Sequence, residues 1–238
     1  MAKLTTKAAR VKEQGNKRLT RPPYKADQLC SEAPKLTTMT ITEFASLELI
    51  APHNLANPDP LLVKLLGRGA DQQSAWSCFD LSFYTNDSSP SEIYLIAGWR
   101  DVPAHERWIA SNRNQELMVK LGRFLKVRWM VDLNLDFNTV PTEKQIIVCE
   151  KYEPQSEADK LGGDKEEKER EAELQKGSRT DVEWVGAGKD LDPKAEGDFY
   201  KFTCCANRWK DKIVASATKH KEVIVLKKLD VKAIGKKL

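Results

Sequence analysis

The chain has no long apolar run: its most hydrophobic stretches, such as residues 93–97 (IYLIA), fall far short of the roughly 20 residues a membrane-spanning helix needs. It also has no secretory apolar core near the start. The expectation is therefore a soluble, cytoplasmic protein without a membrane partner; a mitochondrial location would require the basic N-terminal stretch to act as a transit peptide. Phosphate-cradling loops are missing, because GRG at Gly67–Gly69 and GAG at Gly186–Gly188 are too short, and no GxSxG turn presents a serine nucleophile. The three histidines, His53, His105 and His220, lie in separate segments without HxH or HExxH spacing, so no metal site is expected. Five cysteines (Cys30, Cys78, Cys149, Cys204 and Cys205) form an odd set without CxxC spacing, which reads as free core thiols in a reducing compartment. Charge of one sign is scarce too. Although 31% of the residues are charged, the net charge is only +4, and the basic excess sits in the tails, so no nucleic-acid partner is expected.

What is present is patterning that switches between the periods of strand and helix. Residues 1–38 are basic and lack a hydrophobic period; such a segment cannot offset its chain entropy, and a disordered extension is expected. From Met39 the pattern becomes regular. Residues 40–50 alternate as a strand, Asp59-Pro60 reads as the N-cap and first turn of a helix, and residues 78–86 alternate Phe79, Leu81 and Phe83 as a half-buried strand. The turn cluster 86–90 leads to a strand at 93–99, a helix spanning about residues 103–125, and a strand at 127–137. The order β-α-β-β-α-β is the ferredoxin-like split βαβ, an antiparallel sheet with helices on one face, and the bare face needs a second sheet to cover it.

That second sheet is supplied by a repeat. Strands are expected at 144–152, 182–186 and 198–206, followed by a basic helix over 208–229 and a short strand at 231–234. The fold class is thus α+β: ferredoxin-like repeats, 39–140 and a degenerate 141–238, forming a dimeric α/β-barrel-type architecture, paired within the chain or in a homodimer. Residues 156–178, dominated by EEKEREAELQK, form a charged insertion read as a solvated helix or loose segment.

Three segments, TITEFASLEL, GWRDVPAHERWI and VDLNLDF, resemble the antibiotic-biosynthesis monooxygenase family of the dimeric α/β-barrel superfamily, in its fungal, two-repeat form. The resemblance rests on Trp99, Trp108 and Ser111 and covers the first repeat. It implies a pocket between sheet and helices and, in the small-molecule branch, oxidation of aromatic or polyketide-type molecules of secondary metabolism with no cofactor. In the haem-degrading branch an asparagine, a tryptophan and a histidine ligand would be expected at positions occupied here by Ala45, Trp108 and Met118; one of the three is retained. The candidate substrate-binding residues are Trp76, Phe79, Phe83, Tyr94, Trp99 and Trp108. His105 is the candidate catalytic base, since an imidazole near neutral pKa suits removal of a phenolic or enolic proton. The alternative is a non-catalytic α/β-barrel that binds a ligand or associates with other subunits, its would-be pocket filled by its own side chains.

Overall fold

The computed structural model describes residues 39–86, 88–152, 182–193, 198–206, 221–231 and 234. The expectations for residues 1–38, for the charged insertion 156–178 and for His220 lie outside the described residues. In the first half, strand β1 (Ile41–Leu49) is followed by helix α1 (Pro60–Ser77), β2 (Leu81–Asn86), β3 (Ser89–Trp99), helices α2 (Val102–Ile109) and α3 (Asn112–Leu121), and β4 (Leu125–Leu133). The second half contributes β5 (Ile146–Tyr152), β6 (Val182–Lys189), β7 (Phe199–Cys205) and β8 (Lys221–Lys228).

Local chemistry sets the helix ends. The Asp59 carboxylate accepts the Leu61 N–H at 2.8 Å ahead of Pro60, whose missing N–H costs nothing in a first turn. Asp101 caps α2 in the same way through Ala104 N–H at 2.7 Å. The single helix expected over 103–125 is two helices, because the Ser111 hydroxyl accepts the Asn114 N–H at 3.2 Å and starts a new cap in mid-pattern. A second correction concerns residues 221–228. Within the expected basic helix, KEVIVLKK is β8; its β-branched run carries a strand. Ile234 N–H bonds the Asp230 carbonyl in a helical turn, where a strand was expected.

All eight strands join one sheet in the order β4-β1-β3-β2-β8-β5-β7-β6. The order 4-1-3-2 of the first half therefore returns as 8-5-7-6 in the second, each the ferredoxin-like arrangement. One junction is β2 with β8, where Tyr84 faces Lys228 and Leu229 N–H reaches the Phe83 carbonyl at 2.8 Å. The sheet curls until its edges meet at a seam: Leu133 bridges Asp190, Asn134 N–H bonds the Lys189 carbonyl at 3.1 Å, and Leu191 N–H bonds the Asp132 carbonyl at 2.8 Å. The pairing of the two halves thus occurs within one chain.

Strand alternation sorts side chains into two cores. Phe44, Tyr84, Tyr94 and Ile96 of the first half meet Ile147, Cys149, Tyr200, Phe202 and Leu226 of the second inside the curled sheet. On its other face Ala45, Leu47, Phe83, Ile93 and Leu95 pack against Leu62, Leu65 and Leu66 of α1 and Leu117 and Leu121 of α3. Cys149, Cys204 and Cys205 are buried free thiols, as expected, but Cys78 is disulfide-bonded, which corrects the all-thiol reading.

Candidate functional site

At the end of the first-half sheet, on its helix-covered face, three ionisable side chains meet in the core. In β1 the alternation that buries Ile41 and Ala45 also turns Glu43 inward between them, and register places Glu43 opposite Asp132 of β4 and Ala97 of β3. The small Ala97 leaves room above it. Into that space α2 brings His105 and α1 brings Gln73, while Trp99, the last residue of β3, closes the side.

The contacts form a chain. His105 Nδ1 lies 2.8 Å from Asp132 Oδ1 and 3.1 Å from Oδ2, and its Nε2 faces Glu43 Oε2 at 3.5 Å. The same Glu43 oxygen accepts hydrogen bonds from Trp99 Nε1–H at 2.7 Å and Gln73 Nε2–H at 3.0 Å. The Trp99 indole stacks on the imidazole, with centroids 4.6 Å apart and planes 20° off parallel. A buried carboxylate without partners would cost several kcal/mol, roughly, so these donors are what let the acid sit there.

The electrostatics follow from that geometry. Burial pushes the Glu43 pKa up, and the attraction of His105 and the Trp99 and Gln73 hydrogen bonds only partly oppose it. For His105, burial works downward, but the hydrogen bond to Asp132 and the negative charges of Glu43 and Asp132 outweigh it and leave the imidazole above its ordinary value. Both groups therefore hold their protons more tightly than they would in water. On one side the imidazole Nδ1 is hydrogen-bonded to the Asp132 carboxylate; on the other, Nε2 faces Glu43 at the longer ion-pair distance.

The structure brings together four of the seven residues singled out in the sequence. His105 is at the centre; Trp99 and Trp108 are buried with Ile41, and Trp76 is half-buried against Trp108 at a ring separation of 5.7 Å. The others lie elsewhere. Phe83 belongs to the helix-side core, whereas Tyr94 and Phe79 pack inside the curled sheet, Phe79 edge-on to Phe137 at 5.7 Å. Period-two alternation separates Tyr94 from Trp99 by the thickness of the sheet, so no single pocket collects all six aromatics. Ala45 is buried in β1, and Met118 packs against the helix-side core.

Sequence reasoning missed Glu43, Gln73 and Asp132. A signal existed for the two acids, since each interrupts an apolar strand on a face that should be buried, and buried carboxylates are rare without a partner. Among the described residues no group of three or more His, Cys, Asp and Glu side chains is arranged to hold a metal ion, and no helix is long and apolar enough to cross a membrane.

No protein-family model and no curated protein sequence matches the chain. Solved structures do. A candidate monooxygenase from Lactobacillus acidophilus superimposes with a TM-score of 0.54 at 15% identity, over 80% of this chain and 94% of its own. An anthrone oxidase-like protein gives 0.54 at 10% identity, over 80% and 92%. A variant chlorite dismutase from Candidatus Nitrospira defluvii gives 0.53 at 10%, over 85% and 96%. At such identities the likeness is one of architecture, and this chain has the α+β, ferredoxin-like α/β-barrel fold that these proteins share.

Proposed function

We propose that this protein is a monooxygenase-like enzyme that takes a proton from an aromatic or polyketide-type small molecule and lets the resulting carbanion react with dioxygen, with no added cofactor. The observation that carries the proposal is the Asp132–His105–Glu43 chain under Trp99: an imidazole hydrogen-bonded to one carboxylate and ion-paired with another in a low-dielectric site suits carbon-acid chemistry. Two of the structural relatives, described as a candidate monooxygenase and as anthrone oxidase-like, support the same reaction class. Of the three clustered tryptophans only Trp76 is more than marginally exposed, so it is the one able to stack on an incoming ring.

The test is oxygen-dependent conversion of anthrone to anthraquinone, in which one dioxygen is consumed and one water released, followed by its absorbance with metal-stripped protein. Turnover above the spontaneous rate is expected, and His105→Ala should reduce it. If neither anthrone nor related phenols and 1,3-dicarbonyl aromatics turn over, the proposal fails. One observation favours a second reading, a ligand-binding or association module: His105 is only 2% exposed and both its ring nitrogens are engaged, as in a purely structural network. On that reading wild type shows no turnover, and His105→Ala lowers only the melting temperature.

A further inference from the structure

An imidazole with both nitrogens facing carboxylates has none left for a substrate. Nδ1 of His105 is held by Asp132, Nε2 faces Glu43, and the ring is covered by Trp99. Glu43 is equally enclosed, its Oε2 shared among Trp99, Gln73 and His105. The third member differs: 16% of the Asp132 side chain is exposed, against 2% for His105 and 6% for Glu43. Asp132 is where the buried chain of groups comes to the surface.

Its position is fixed from a second direction. The Asp132 carbonyl accepts the Leu191 N–H across the seam, next to the Leu133–Asp190 bridge, so the strand bearing this carboxylate is tied to the second half of the chain. Apolar surface flanks it. Met130, two residues along the same face of β4, and Leu191 are both among the few large apolar residues that are exposed. A partly exposed carboxylate on a strand tied at both sides, backed by a hydrogen-bonded imidazole and bordered by exposed apolar side chains, suits a flat apolar molecule carrying an acidic C–H.

Resting on the proposed reaction, we infer that Asp132 is the catalytic base that meets the substrate at the barrel seam, and that His105 is a positioning residue acting through it. The C–H bond breaks with its electron pair left on the substrate carbon, and the proton passes to Asp132 Oδ2, the oxygen that His105 Nδ1 holds more loosely, at 3.1 Å against 2.8 Å for Oδ1. Oδ1 keeps the hydrogen bond from His105 Nδ1–H, which fixes the carboxylate plane. The His105–Glu43 ion pair stays in place behind the base. The carbanion forms a C–O bond with dioxygen, the oxidant; the peroxide takes up the proton from Asp132, and loss of the second proton from that carbon with cleavage of the O–O bond leaves the ketone and one water. The charged groups that face this pair are Glu43 from β1, Glu106 from α2 and Asp190 from across the seam.

The experiment compares Asp132→Asn and His105→Gln with wild type on anthrone across pH 5 to 9, with near-UV circular dichroism as the check of fold. Asp132→Asn keeps the shape but loses the basic oxygen, so kcat should fall by about 100-fold or more across the whole pH range. His105→Gln keeps an N–H donor for Oδ1 and should stay within about tenfold, whereas His105→Ala, which has no donor, should fall further. Folded Asp132→Asn within threefold of wild type overturns the inference alone. A folded His105→Gln that loses about 100-fold or more relative to wild type also overturns it, since the imidazole would then be the base, and this arm stands even if Asp132→Asn does not fold. A silent wild type sinks the proposed reaction and the inference with it.

Discussion

Glu43 and His105 bind their protons more tightly in the folded chain than in water, and this gives the protein a pH response of a particular sign. A group whose folded pKa is raised contributes stability that is complete below its unfolded value and is lost as pH rises through the folded one. For Glu43 the loss begins above the ordinary value of 4.5, and for His105 above 6.5. The melting temperature should therefore decline from pH 5 towards pH 9, and Glu43→Gln, which removes the first part of the window, should flatten the curve; a wild-type melting temperature that rises over this range would contradict the shifts. The same residues show how far the sequence could be read. His105, Trp99 and Trp108 stood out because such side chains are few and lie within ten positions of one another. Glu43 and Asp132 were hidden because they are 89 positions apart along the chain and meet only through the β1–β4 register, a fact about pairing that no local pattern contains.

The strands and helices of the first half were legible because period and punctuation agree: Asp59-Pro60 and the alternation of β1 and β3 lead to the elements observed. Where the reading departed from the structure, a local competitor had the stronger hand. Ser111 caps a new helix within a continuing amphipathic pattern, and the lysines flanking EVIVL hid a strand behind the composition of a basic helix. Two glycines test how tightly these elements are packed. A Cβ at Gly98 of β3 would run into the rings and stem of Phe137 and Phe79, so Gly98→Ala should cost about 1–3 kcal/mol or more in urea unfolding. At Gly67, inside α1, an added methyl meets only Val231 at 3.8 Å, and Gly67→Ala should instead add about 0.5–1 kcal/mol through helix propensity. Equal midpoints for the two variants would mean that β3 has more room than its neighbours show.

At the scale of the whole molecule, the two halves share a core. Phe44 is packed against Tyr200 and Phe202, with ring centroids 5.9 and 5.2 Å apart, so neither sheet can lose its partner without exposing its aromatic face. Unfolding should be a single transition in which tryptophan fluorescence, reporting mostly on the first half, coincides with far-UV circular dichroism, reporting on both; two separated midpoints would mean that the halves are independent. The ferredoxin-like order of the first half could be anticipated from the sequence. That the second half closes the barrel along a seam at Asp132 could not, because the bonds that make it join residues 132–134 to residues 189–191, far apart along the chain.

The strand order 4-1-3-2 returning as 8-5-7-6 in a single polypeptide also bears on how such a protein changes over generations. In a barrel assembled from two identical chains every substitution is made twice, so whatever improves one sheet must be tolerated by its twin. A fused barrel is released from that duplication. Its first half has placed Asp132, Glu43 and Ala97 in one row across the sheet, while the second half has Val225, Val148 and Thr203 side by side on its own central strands. One half carries ionisable groups in a row where the other carries two valines and a threonine, and mutation along β6 can retune the seam without touching the strand that bears Asp132.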